Sequence, residues 1–137
     1  MSSLKAGPAL QRELLSIAAA TAEPVGTVLF RRGDEAKGAF LILGGEVWMG
    51  LERAASSYPS RTLRAGCLAG LPATLSGEPY SLTAKVVEEA QLAFIPRTAA
   101  LDLLRRDTSL SLEIMRLLSE EISEMRAVFD EKRFTAR

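Results

Sequence analysis

Between Gly26 and Pro96 the chain is written as short apolar runs, none longer than six residues, cut apart by glycine. The runs are Thr27–Phe30, Ala39–Leu43, Val47–Leu51, Arg61–Leu63, Leu82–Val87 and Leu92–Pro96. Segments this short suit strands, because a helix needs roughly 10–12 residues to bury a stripe. Gly33-Asp34 and Gly44-Gly45 are turn signals, the second of hairpin type. Gly26, Gly33 and Gly45 are expected to serve only the backbone at those turns. Short strands at regular spacing predict a sandwich or barrel, here over residues 24–96. The small polar stretch from Arg53 to Ser60 reads as a hairpin loop with no function assigned.

Helices flank this β region. Pro8 opens an N-terminal helix over 8–22, with Leu10, Leu14, Ile17 and Ala18 on one face, and Glu23-Pro24 ends it. C-terminal helices are expected over 97–130. Arg97 to Arg105 forms the first, with Leu101 and Leu104 facing inward. A long helix follows from Thr108 to Phe129, capped by Thr108 or Ser109. Along it Ile114, Leu118, Ile122, Met125 and Phe129 recur at spacings of four, four, three and four. Leu110 and Leu117 widen that stripe, and Glu113, Arg116, Glu120, Glu121 and Arg126 take the remaining surface. The stripe lasts roughly five turns, more than a small barrel covers, so the stripe of Ile114, Leu118, Ile122, Met125 and Phe129 is expected to bury part of itself against a second copy.

Composition removes most enzyme classes. With no His among 137 residues, Ser-His-Asp chemistry, a His-ligated haem and the usual His-rich metal site have no side chains to build them. A lone Cys cannot close an internal disulfide or hold an iron–sulfur cluster. Lys and Arg number 17 and Asp and Glu 17, a zero net charge with no long-range pull on nucleic acid or anionic membrane. Pro8, Gln11, Arg12 and Glu13 break the N-terminal apolar stretch, so no signal peptide is expected. No run approaches the roughly 18–20 apolar residues of a membrane span. One soluble cytoplasmic domain spanning 1–137 is expected, with no metal and no cofactor.

One segment carries a more specific pattern. From Gly66 to Ala84 it reads GCLAGLPATLSGEPYSLTA, preceded by GTVLFRRGD at 26–34 and FLILGGEV at 40–47. Together these resemble the cyclic-nucleotide-binding domain family over Pro8 to Phe129. The resemblance implies a mainly β fold with flanking helices: a jelly roll, or cupin-like double-stranded β-helix, with a short N-terminal helix and a long C-terminal one. In that family a short cassette helix opens with Gly-Glu, whose Glu holds the ribose hydroxyl. An Arg roughly ten residues later pairs with the cyclic phosphate. Here Leu71 follows Gly70, and the Arg position falls among Tyr80, Ser81 and Leu82. Thr83-Ala84 matches the Ser/Thr-Ala pair after the Arg, which makes Leu82 its replacement.

The resemblance therefore points to Gly70, Leu71, Pro72, Ala73, Tyr80, Ser81, Leu82 and Thr83 as the ligand-binding cassette, stripped of both charges. Backbone N–H groups at 70–73 could still face a phosphate. Without the charge-assisted Arg bonds, affinity falls on the order of tenfold or more, so cyclic AMP and cyclic GMP are expected to bind weakly or not at all. Three states of the pocket stay open: filled by its own side chains, fitted to an uncharged ligand, or an atypical nucleotide site. Arg31, Arg32, Arg61 and Arg64 read as solvated strand-face charges, Cys67 as a buried inert thiol, and Trp48 as a core or interface anchor.

Three functions follow. The first is a non-enzymatic regulatory or sensor module, a homodimer through its C-terminal helix, acting on a separate output protein or forming the sensing half of a catabolite-activator-type regulator without its DNA-binding domain. The second is a ligand-free structural interaction domain. The third, a cupin-type enzyme, would need a metal site of carboxylates alone, and no cluster of them is apparent. No helix-turn-helix is apparent either, and no nucleic-acid or membrane partner is expected.

Overall fold

A computed structural model describes the backbone of residues 5–51 and 60–135, and side chains in 5–51 and 60–121. The elements run α1 (Pro8–Ser16), β1 (Ala19–Glu23), β2 (Val28–Phe30), β3 (Gly38–Gly50), β4 (Arg61–Leu63), β5 (Leu68–Ala69), α2 (Leu71–Ser76), β6 (Thr83–Pro96), α3 (Arg97–Arg106) and α4 (Thr108–Thr135). The expected hairpin loop at 53–60 falls almost wholly on residues 52–59, outside the described residues.

The architecture is a double-sided antiparallel barrel built on two long strands. β3 and β6 pair from Gly38↔Pro96 to Gly50↔Thr83. The far half of β6 takes β1 on its free edge, and the near half of β3 takes β5. At the other end β2 joins β6 and β4 joins β3. Two four-stranded sheets thus share one strand pair, which is the jelly-roll arrangement expected. Gly44-Gly45 is not the hairpin turn its sequence suggests. It lies inside β3, where the register with β6 shifts between Ile42 and Val47. Gly45 takes φ +80°, and a Cβ there would stand 2.1 Å from the Glu89 carbonyl oxygen. Such a bulge adds twist where the pair passes from one sheet to the other. The expected runs 82–87 and 92–96 likewise belong to one strand, β6, which begins at Thr83.

Alternation along these strands separates two cores. Ile42, Val47, Val86 and Leu92 point between the sheets and are fully buried. Leu41, Ala93 and Ile95 point outward, against Leu10 and Leu14 of α1, Ala100 and Leu103 of α3, and Leu110, Ile114 and Leu117 of α4. Period two on the strands and period 3.6 on the helices meet in this second core.

The helices differ from expectation at several points, and α4 runs on to Thr135 rather than ending at Phe129. The N-terminal helix ends at Ser16 rather than 22, because Ala19–Glu23 pairs with Ala90–Phe94 as an edge strand. An alanine-rich tract favours helix locally, and the ladder overrides it. In α3 the buried residues are Ala100 and Leu103, while Leu101 and Leu104 are half-buried. The phase is set where α3 leaves β6: the Arg97 N–H donates to the Lys37 carbonyl (2.9 Å), and the Arg97 Nε to that of Thr74 (2.8 Å). The α4 cap is Asp107, whose Oδ1 accepts from the Leu110 N–H at 3.1 Å, not Thr108 or Ser109. In the α4 stripe Ile114 is buried with Leu110 and Leu117, and Leu118 is half-buried; Ile122, Met125 and Phe129 lie outside the residues whose side chains are described.

Candidate functional site

The cassette is a turn, a six-residue helix and a loop laid across the barrel's mouth. Gly70 precedes α2 with φ +81°, where a Cβ would stand 2.8 Å from the Tyr80 ring and 3.1 Å from Phe30. That approach is what glycine permits here. The α2 turn is held by the Thr74 hydroxyl, which donates to the Gly70 carbonyl at 2.7 Å, and by Arg97 at its last turn.

Beneath α2 sits a pocket with about 50 Å³ of free volume, room for one or two waters. Gly70, Pro72, Ala73, Tyr80, Ser81 and Leu82 line it, six of the eight expected cassette residues. The other two face elsewhere. Leu71 is buried with the helix-side core and lines an apolar crevice against Leu117 and Leu118. Thr83 is buried on the strand, its hydroxyl oxygen accepting from the Arg32 N–H at 3.1 Å. The remaining walls are Phe30, Met49, Arg61 and Glu121.

Arg61 is the residue that sequence reasoning misplaced. It is not a solvated strand-face charge: its Nη2 pairs with the Glu121 Oε1 at 2.8 Å, and both side chains are largely shielded. Arg31 and Arg32 are exposed as expected, and Arg64 meets Glu46 at 3.0 Å on the surface. The signal for Arg61 was present. Leu63 is fully buried, so period two puts Arg61 on the inward face, and Arg61 stands opposite the buried Met49. Glu121 gave no such signal, since it lies on α4 beside the stripe and only the docking of α4 turns it toward the barrel. A cation from β4 and a carboxylate from α4 thus meet in the wall of this pocket. Cys67 is buried and Trp48 half-buried.

Tyr80 is a wall. Its ring stacks on Phe30 with centroids 3.8 Å apart and planes 11° apart, and its hydroxyl donates to the Gly38 carbonyl at 2.5 Å. On the far side of the stack an open cleft of about 400 Å³ is lined by Phe40, Phe94, Asp34, Glu35 and Lys37. Burial raises the Tyr80 pKa above its ordinary 10.0; hydrogen bonds at Gly38, Lys37 and Thr74 pull the other way, and Asp34 adds to the rise. A raised folded pKa means the folded state keeps a proton that the unfolded chain releases. The resulting stability is fully present below pH 10.0 and is lost as pH rises through the higher folded value. Tyr80→Phe is expected to cost about 1–3 kcal/mol near neutrality by orphaning the Gly38 carbonyl. Urea unfolding of both proteins should show that gap narrowing above about pH 10; a gap independent of pH would contradict this account of Tyr80.

With this fold and pocket in view, the family is settled. The cyclic nucleotide-binding domain model matches residues 24–107, more than half of the chain, and the chain belongs to that family. No curated protein matches the sequence. Among solved structures, the catabolite activator protein of Thermus thermophilus is similar with a TM-score of 0.79 and 24% identity, over 93% of this chain and 61% of that one. The c-di-GMP-responsive global regulator CLP of Xanthomonas campestris aligns with a TM-score of 0.75 and 17% identity, over 96% and 64% of the two chains. The EAL enzyme Bd1971 in its cAMP-bound form aligns with a TM-score of 0.62 and 20% identity, over 86% and 32%. These likenesses establish the jelly-roll fold, and the chain spans about three fifths of the length of the two regulators. No helix among the described residues is long and apolar enough to cross a membrane.

Proposed function

We propose that this chain is a non-enzymatic regulatory module of the cyclic-nucleotide-binding type, one that takes conventional cyclic nucleotides weakly or not at all and pairs with a second copy through the far part of α4. The observation that carries the reading is the content of the cassette pocket. Leu82 lines the pocket where the family's Arg is expected, Leu71, at the expected Glu position, turns into the helix-side core, and Arg61 and Glu121 pair directly in the wall of a pocket with about 50 Å³ of free space. Ligand pockets for small molecules run to about 300–1,000 Å³. A cyclic nucleotide would have to displace side chains before gaining any contact.

Dimerisation draws its support from α4. The helix continues 14 residues beyond Glu121 to Thr135, about 21 Å at 1.5 Å per residue, and the apolar stripe continues with it in sequence. Isothermal titration with cyclic AMP, cyclic GMP and cyclic di-GMP tests the pocket. No saturable heat is expected at concentrations up to about 50 µM, roughly −6 kcal/mol. Tight saturation by any of the three would overturn the reading. Sedimentation equilibrium tests the second part, for which a monomer at micromolar concentration would be the contrary result.

A further inference from the structure

Phe30 and Tyr80 wall two pockets, the cassette pocket and the open cleft of about 400 Å³ beside it. The cleft has the size of a small-molecule site, roughly 300–1,000 Å³. Its aromatic wall runs on past the Tyr80–Phe30 stack. Phe40 stacks on Phe30 with ring centroids 6.2 Å apart, and Phe94 meets Phe40 at 5.1 Å and 54°. Phe40 and Phe94 are direct partners in the β3–β6 pair, yet both stay only half-buried. The Phe94 ring lies over Gly38, where a Cβ would stand 2.5 Å from its Cζ. The rim is held as firmly. The Gly33 N–H donates to the Tyr80 carbonyl at 2.8 Å, the Tyr80 N–H to that of Asp34 at 3.0 Å, and the Arg97 N–H to that of Lys37 at 2.9 Å. A ligand therefore meets a cleft already formed, which lowers the ordering cost of binding.

Aromatic rings carry negative faces, which attract cations and are indifferent to neutral apolar groups of the same shape. The rim charges point the same way. Asp34, Glu35 and Lys37 line the cleft and are exposed, two carboxylates to one ammonium. The Asp34 Oδ2 accepts from the Arg31 N–H at 3.1 Å, which keeps that carboxylate at the turn. Lys37 carries its charge on a flexible four-carbon stem, so it can swing into solvent when another cation enters. We propose that this cleft is a second ligand site, separate from the cassette, for a small organic cation whose alkylated ammonium head rests among Phe30, Phe40 and Phe94 and faces the carboxylates of Asp34 and Glu35. A neutral ligand of equal shape would gain the apolar burial alone. An anion would gain Lys37 but meet two carboxylates and the ring faces. The inference goes beyond the regulatory reading of the chain and does not depend on what the cassette pocket binds.

The test titrates the full chain with three probes of one shape at matched ionic strength: choline, its neutral isostere neohexyl alcohol, and tert-butylacetic acid as the carboxylate. Binding is followed by nuclear magnetic resonance of the Phe40 and Phe94 ring protons and the backbone amides of 33–40. Choline is expected to saturate these signals in the millimolar range, at least about fivefold more tightly than neohexyl alcohol. Phe94→Leu keeps an apolar side chain and removes a ring face. It should weaken choline about fivefold and the alcohol less than about twofold. Glu35→Gln, at an exposed position, should weaken choline by about twofold and leave the alcohol unchanged. No saturation by choline, equal affinity for choline and the alcohol, or tighter binding of the carboxylate would overturn the proposal. So would a choline response that survives both substitutions or is centred on residues 70–73. The three-probe comparison uses unmodified protein, so it decides the matter even if Phe94→Leu does not fold. Calorimetry with cyclic nucleotides reads the cassette alone, and the two proposals can fail independently.

Discussion

Gly45→Val is expected to destabilise the chain by about 3–5 kcal/mol, a large share of the roughly 5–15 kcal/mol that holds a domain folded. Two effects add. The position has φ +80°, which a β-branched residue adopts only at a cost of about 1–3 kcal/mol. A Cβ would also meet the Glu89 carbonyl oxygen at 2.1 Å, the Ala90 Cα at 2.7 Å and the Glu88 carbonyl oxygen at 2.8 Å. All three are backbone atoms of β6, so relief requires moving the strand that runs through both sheets. Urea unfolding followed by circular dichroism checks this, and a midpoint within error of wild type would show that the β3 bulge tolerates a side chain. Gly26 also has positive φ but has nothing within 4 Å of a built Cβ. Gly26→Ala should therefore cost only the conformational part.

Leu117→Ala should destabilise by about 2–5 kcal/mol, the range for removing a buried leucine. Leu117 is 1% exposed and lies in the core that joins α4 to the outer sheet face. It also lines the crevice shared by Leu68, Leu71 and Glu121. Truncation there should therefore loosen α4 beside the Arg61–Glu121 contact as well as weaken the whole domain. Leu112, on the same helix but 61% exposed, provides the comparison: Leu112→Ala is expected to fall within about 0.5 kcal/mol of wild type. Chemical denaturation of the two variants decides the matter, and equal losses would mean that α4 does not hold the barrel through its Leu117 face.

Arg61 and Gly45 mark how far the sequence could be read. The jelly roll was legible because its cause is local and repeated: short apolar runs, glycine breaks and a cassette whose glycines and prolines keep their spacing. Leu71 after Gly70 and Leu82 before Thr83-Ala84 are legible in the same way, as apolar residues at the positions where the resemblance implies a Glu and an Arg. The bulge at Gly45 was not, because a glycine pair between two strand-like runs has the same appearance whether the chain folds back or runs on. Only the pairing of Glu46 with Glu88 and Val47 with Val86 distinguishes them. Ala19–Glu23 was lost to its own helix propensity, which an edge of β6 outweighs by supplying hydrogen-bond partners.

By itself the sequence determined the run of short strands with flanking helices and, through its resemblance, the fold family. Both follow from residue types along the chain, which need no knowledge of what lies across the fold. The tertiary structure alone decided what occupies the pocket. Arg61 and Glu121 are 60 residues apart in the chain and become partners at 2.8 Å only because α4 docks across the barrel. Contacts of that kind depend on how buried apolar faces align whole elements, and spacing along the chain carries no record of that alignment.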